Sequence, residues 1–201
     1  ATADIGRPSR QVDLKGHYAA VMRLDGKTGI ALSTDGVGTK LLVAEEMGRY
    51  DTVGIDCIAM NVNDIICVGA EPFAMLDYLA VEKADPEMCE QIGVGLARGA
   101  ELAGIEIPGG ELAQLGEMVN GVDISGACFG TVALDAIIDG SAVEPGDSVI
   151  GLPSSGIHSN GYTLARAALA GIGLDQDPEG RLGRALGDEL LEPTEIYVKP
   201  V

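Results

Sequence analysis

The chain has 201 residues, 46% of them apolar, 3% aromatic and none of them tryptophan, which suits a core of Ala, Val, Ile and Leu in one large domain or one domain and part of another. Its 31 acidic and 13 basic residues leave a net charge of −18. A surface this negative repels nucleic-acid phosphates and anionic membranes and disfavours non-specific binding to either.

Residues 1–15 are polar with Pro8 among them, and read as a mobile entry segment. Gly16-His17-Tyr18-Ala19 leads into a strand ending near Leu24. Asp25-Gly26 is a two-residue hairpin signal, so residues 28–33 form the returning strand. That strand runs into Thr34-Asp35-Gly36-Val37-Gly38-Thr39-Lys40, where glycines let backbone approach a ligand and Thr39 is placed to cap a helix over 39–47. The turn is not a Walker A loop, because Lys40 follows a threonine and not a glycine. A tight turn with a capping aspartate fits the same residues.

Residues 59–68 read as a buried helix with Asn61, Asn63 and Asp64 in its middle. Burying such groups without partners costs several kcal/mol. They are therefore either satisfied by neighbouring backbone or used on a ligand. Gly69-Ala70-Glu71-Pro72 should stop this helix. A strand follows over 73–81, with Asp77 and Tyr78 inside it, and then a helix opened by Asp85-Pro86, with Met88, Ile92, Leu96 and Ala100 along its packing stripe. Ile105-Glu106-Ile107 reads as a short strand ending in Pro108-Gly109-Gly110-Glu111, residues 112–121 as a loop, and 123–132 as a glycine-bearing strand.

Val143-Glu144-Pro145-Gly146-Asp147 is the best boundary, followed by an expected strand over 148–152. The glycine-rich run Ser154 to Gly161 should open a helix over 162–170, with His158 either at a site or donating to loop backbone. Residues 171–190 look irregular, and Pro193-Thr194 should start another helix. Cys57, Cys67, Cys89 and Cys128 lie among apolar residues with no Cys-x-x-Cys spacing, which fits reduced, buried thiols in a cytoplasmic protein. The even spread of acids matches proteins of a high-salt cytoplasm. The start without Met and the end inside a continuing segment suggest a piece of a longer chain.

The fold class is thus α/β or α+β, with three expected strand or helix ends that carry an acid near glycine. Asp35, Asp64 and Glu111 would converge on one or two hard cations such as Mg²⁺, which in turn hold a substrate's phosphates. That is a nucleotide site without a P-loop.

Several motifs in order match one family. They are Ser33-Thr34-Asp35-Gly36-Val37-Gly38-Thr39-Lys40, Asn63-Asp64-x4-Gly69-Ala70-x-Pro72, Leu76-Asp77-Tyr78, Gly109-Gly110-Glu111, Ser155-Gly156-x-His158-Ser159-Asn160-Gly161 and Pro193-Thr194-x-Ile196-Tyr197. The chain resembles the aminoimidazole ribonucleotide (AIR) synthetases, or phosphoribosylformylglycinamidine cyclo-ligases, of purine synthesis. The resemblance implies a PurM-like ATP-binding and dimerisation domain over 16–142, whose mixed sheet is flanked by helices and pairs into a β-barrel across a homodimer. It also implies the start of a second α/β domain over 146–201. The implied reaction spends ATP on the formyl amide oxygen of formylglycinamidine ribonucleotide. A nitrogen of the nascent ring then attacks the iminophosphate and phosphate leaves. Carried onto this chain, Asp35, Asp64 and Glu111 would hold Mg²⁺. Asp35, Gly36, Gly38, Thr39, Lys40, Asn63, Asp64 and Gly69 would bind ATP. Ser155, His158, Ser159 and Asn160 would bind the ribonucleotide, and His158, Asp64 and Lys40 would take the catalytic roles. Leu112-Ala113-Gln114 departs from the family's usual Thr-Ala-Glu and removes one carboxylate. Thiamine-monophosphate kinase is the alternative within the same superfamily, and a non-catalytic dimerising ATP-binding domain the alternative outside enzymes. The chain as given is expected to be inactive by itself.

Overall fold

The computed structural model of the protein describes residues 10–201, so most of the expected mobile entry segment lies outside the described residues. The Asp25 hairpin forms: its carboxylate accepts the backbone N–H groups of Lys27 and Thr28, and β1 (Ala20–Arg23) pairs antiparallel with β2 (Thr28–Gly36). After a single 3₁₀ turn over Gly38–Lys40 come α1 (Leu41–Met47) and α2 (Val53–Ile66). The central helix therefore begins six residues before the expected 59. Thr39 lies inside the 3₁₀ turn and caps nothing.

β3 (Glu71–Val81) leads through α3 (Pro86–Ala103) to β4 (Glu106–Gln114), and β5 (Val122–Ala133) returns between them and the hairpin. The five strands take the order β1-β2-β5-β3-β4, with only β3 and β4 parallel. Asp85 caps α3 by accepting the Met88 N–H, with Pro86 at the first helical position, as the sequence predicts. Glu71 and Pro72 join β3 instead of ending a helix. Pro108-Gly109-Gly110-Glu111 is the middle of β4 and not a strand end. β4 is the sheet's edge, where proline and glycine are tolerated because no ladder partner is needed on the outer side.

α2 lies on one face of the sheet and α3 packs on α2. Ala31, Met75, Ile124 and Cys128 point from the strands to meet Ile58, Val62 and Ile65 in one buried core. The α2–α3 crossing is close. A Cβ on Gly54 would lie 2.2 Å from the Leu96 backbone nitrogen and 2.6 Å from the Ile92 carbonyl oxygen. Main-chain atoms of a packed helix cannot step aside, so Gly54→Ala should destabilise the fold by about 3 kcal/mol, read as a lower urea midpoint at unchanged slope.

From Leu134 to Gly161 the backbone forms neither helix nor strand. The expected strand over 148–152 is absent because nothing pairs with it: Val149 is 99% exposed. α4 (Tyr162–Ala168) and α5 (Leu186–Leu190) follow, the latter in a stretch read as irregular. Pro193-Thr194 starts no helix; residues 191–201 are extended or turned. Leu186, Leu190, Leu191 and Ile196 nevertheless join the main core. Cys57 and Cys128 are buried, with burial pushing the Cys128 thiol up to about 12, but Cys67 is exposed and Cys89 half-buried, so not all four thiols are interior.

Candidate functional site

α2 holds the site together because its polar residues each reach a different segment. Asn61 is wholly buried and clips β2: its Oδ1 accepts the Asp35 N–H at 3.0 Å, and its Nδ2 donates to the Asp35 carbonyl at 3.1 Å and to the Cys57 carbonyl at 2.9 Å. Gly126 of β5 leaves room beside the amide and the Met75 side chain; a Cβ there would stand 2.2 Å from Met75 Cε and 3.2 Å from Asn61 Nδ2. One turn on, the Asp64 carboxylate accepts the Ser33 hydroxyl at 2.9 Å. Burial pushes the Asp64 carboxyl upward, the Asp35 charge adds to this, and the Ser33 bond opposes both. Asp35 itself accepts the Gly36 N–H at 2.7 Å. Two carboxylates thus stand together at the mouth of the glycine turn, where Gly38 and Thr39 are exposed.

Glu111 does not join them. Asp35 lies in register with Gly126, Asp77 and Gly110, whereas Glu111 lies in the adjacent row with Tyr78, Ser125 and Gly36. Successive strand residues point to opposite faces. Asp35 therefore faces α2 and Glu111 faces the uncovered side, three strands away at the sheet edge. Among the described residues no group of three or more His, Cys, Asp or Glu is placed to hold a metal. The expected three-carboxylate site reduces to Asp35 and Asp64.

Lys40 is also not where the sequence predicts. Its ammonium is wholly buried, donating to Asp56 Oδ1 at 2.9 Å and to the Glu192 carbonyl at 2.6 Å, with Asp56 Oδ2 2.8 Å away and the Tyr162 ring 5.8 Å away. A lysine so placed faces no phosphate. Burial drives its pKa down and the Asp56 charge pulls it back up. Asp56 is the residue the sequence reading missed. Its Oδ1 also accepts the N–H and the hydroxyl of Thr194, each at 2.7 Å. Asn63, expected on ATP, instead exchanges two bonds with the terminal segment: Nδ2 donates to the Glu195 carbonyl at 2.8 Å and Oδ1 accepts the Tyr197 N–H at 2.9 Å. Gly69 is exposed with φ of 75°, in the turn between α2 and β3.

The 155–160 loop leans on the same terminal segment. Ser155 donates its hydroxyl to the Pro193 carbonyl at 2.6 Å, and the Ser159 hydroxyl meets that of Thr194 at 3.1 Å. His158, at φ 57°, turns its Nε2 back to accept the Ser155 N–H at 3.3 Å, so it is an acceptor of loop backbone and not a donor to it. Asn160 alone of the four stays exposed, with its amide 4.0 Å from Met60 of α2. Thr163 at the start of α4 lies 3.4 Å from Thr39, which brings the two glycine-bearing turns side by side. Asp77, a carboxylate in the middle of β3, shares the Asp35 row on the helix side, and burial pushes its pKa up.

Two family models match the chain: the N-terminal domain of AIR synthase related proteins over residues 16–132, and the C-terminal domain of the same family over 144–201. Among curated relatives, the phosphoribosylformylglycinamidine cyclo-ligase of Methanobrevibacter smithii is 56% identical over 189 residues, covering 92% of this chain and 55% of the relative. That of Thermococcus kodakarensis is 52% identical over 198 residues, covering 98% and 57%. The chain thus spans about half the length of the curated relatives it matches. Of solved structures, thiamine monophosphate kinase from Aquifex aeolicus matches with a TM-score of 0.61 at 25% identity, covering 86% of this chain and 56% of that one. A ThiL structure complexed with AMPPCP and TMP matches with a TM-score of 0.66 at 21% identity, over 94% and 56%, which establishes a shared fold.

Proposed function

This chain belongs to the AIR synthase related family, and from that premise we propose that the full-length protein is an ATP-dependent cyclo-ligase that closes formylglycinamidine ribonucleotide to aminoimidazole ribonucleotide. The observation that carries this reading is 56% identity, over 92% of the chain, to a relative of that name. The reaction transfers the γ-phosphoryl group of ATP to the formyl amide oxygen, giving an iminophosphate and ADP. An amidine nitrogen then attacks the same carbon, a proton is lost, and phosphate leaves with the former amide oxygen. Phosphorylation converts oxide, a poor leaving group, into a good one. The protein's work is to align the groups and offset charge.

The local geometry suits that work. Asn61 fixes the backbone at Asp35 and Ser33 orients Asp64, so both carboxylates meet the turn whose exposed residues, Gly38 and Thr39, would lie along the triphosphate. Asp35 and Asp64, two like charges close together, would be the residues to hold a hard cation such as Mg²⁺, which would relieve their repulsion. Bound there, Mg²⁺ would neutralise phosphate charge. The 155–160 loop would meet the ribose phosphate, with Asn160 as its side-chain contact and His158 as the group able to move a proton. A substrate amide oxygen labelled with ¹⁸O should appear in the released phosphate, one atom per AIR formed; label retained in the ribonucleotide product, or lost to water, would contradict the phosphorylated-amide route.

The same proposal includes a cytoplasmic homodimer. The sheet face opposite α2 is uncovered and carries Phe73, Leu76 and Tyr78, each between 42% and 48% exposed. A second copy pairing there would bury this patch. Sedimentation of the full-length protein at twice its chain mass checks this. Among the described residues no helix is long and apolar enough to cross a membrane.

A further inference from the structure

Residues 192–197 cross α2 as a strap, and the strap carries the 155–160 loop. Asp56 and Asn63 lie seven residues apart on α2, so they share a face two turns apart. Asp56 binds the strap at Thr194 through its N–H and hydroxyl, and Lys40 binds it two residues earlier at the Glu192 carbonyl. Asn63 binds it at Glu195 and Tyr197. From the strap, the Pro193 carbonyl holds Ser155, Thr194 meets Ser159, and the Tyr197 ring lies 6.2 Å from the His158 ring. Tyr162 completes the set by donating to the Leu190 carbonyl at 2.5 Å. The helix that carries Asp64 at its C-terminal end therefore also sets where the 155–160 loop stands.

We propose that Asn63 and Asp56 are positioning residues: they clamp the 192–197 strap to α2 and thereby fix the ribonucleotide-binding loop relative to the carboxylate pair. Neither touches nucleotide. The proposal rests on the cyclo-ligase reading for the identity of the loop's ligand, but the clamp itself does not. Asn63 is the residue to test, because it is half-buried and its loss leaves no buried charge. Freed of one clamp point, the strap and loop sample positions that bind the ribonucleotide poorly, while the Asp35 turn stays in place.

Two measurements on the full-length protein test this. In Asn63→Ala, amide hydrogen exchange without substrate should quicken at 155–160 and 194–197 and stay unchanged in β2, β3 and β5. In the same variant KM for formylglycinamidine ribonucleotide should rise about 10-fold, with KM for ATP within about 2-fold of the parent, the split expected when only one substrate's site is loosened. Unchanged exchange would overturn the clamp. Faster exchange with an unchanged ribonucleotide KM would overturn the positioning role, and a raised ATP KM alone would make Asn63 a nucleotide ligand. If the parent turns over no formylglycinamidine ribonucleotide, the cyclo-ligase reading fails, while the exchange result still decides the clamp.

Discussion

Asp56→Ala should unfold this chain at a denaturant concentration the parent survives, at a cost of about 3–5 kcal/mol, the largest stability loss expected for one substitution here. The carboxylate and the Lys40 ammonium are both wholly buried, and removing one leaves the other as an uncompensated interior charge. Thr194 would also lose the acceptor for two bonds, and the strap its anchor. The pH dependence has a defined direction. Burial already lowers the pKa of Lys40 below its unfolded value, and the Asp56 charge is the main force opposing this. Without Asp56 the folded-state pKa falls further, so folding releases a proton between that value and the unfolded pKa of about 10.4. Stability of Asp56→Ala should therefore climb as pH rises from 7 to 10, and by more than the parent's does, in urea unfolding followed by circular dichroism. Lys40→Met, which strands the carboxylate instead, should show no such recovery at high pH.

If the full-length protein is the proposed cyclo-ligase, Asp64→Asn should abolish its turnover while leaving the fold intact. We expect a fall in kcat/KM of at least about 10³-fold, which is roughly 4 kcal/mol of transition-state stabilisation. Stability should move the other way. The folded state holds the Asp64 carboxyl at a raised pKa, first through burial and then through the Asp35 charge. A raised carboxylate pKa means that stability falls as pH climbs past the unfolded value and through the folded one, so at pH 7 the ionised group is a penalty. An amide removes that penalty and still accepts the Ser33 hydroxyl, so Tm should stay level or rise by about 1–2 °C. A melting curve and a rate at the same pH check both halves of this expectation.

Local chemistry was the legible part of the sequence. The Asp25 turn and the Asp85-Pro86 helix start depend on atoms two or three residues away, so the residue pattern is enough to place them. The Asp35 and Asp64 pairing was also visible, as two acids near glycine turns. What was hidden depends on partners far along the chain. Asp56 falls ahead of the helix expected from 59 and carries no signal of its own until Lys40 and Thr194, 138 residues on, are placed against it. Asn63 resembles a ligand-binding amide because its partners, Glu195 and Tyr197, lie more than 130 residues away. β4 was misread because Pro108, Gly109 and Gly110 carry turn composition, and only an edge position makes them acceptable in a strand. The stretch over 148–152 has a strand's residues but no strand beside it. Glu111 groups with Asp35 in sequence because both read as acids beside glycines at the ends of strands. Sheet register, which sequence spacing across three strands does not set, puts it on the opposite face.

The most direct measurement is ADP release by the full-length protein with Mg²⁺ and ATP at high KCl, offered formylglycinamidine ribonucleotide and thiamine monophosphate in parallel, with Asp64→Asn as control. Turnover on the ribonucleotide alone, lost in the variant, is the result this account expects. Turnover on thiamine monophosphate alone would move the protein to the kinase that shares its fold, and ATP binding with turnover of neither would contradict the cyclo-ligase reading outright.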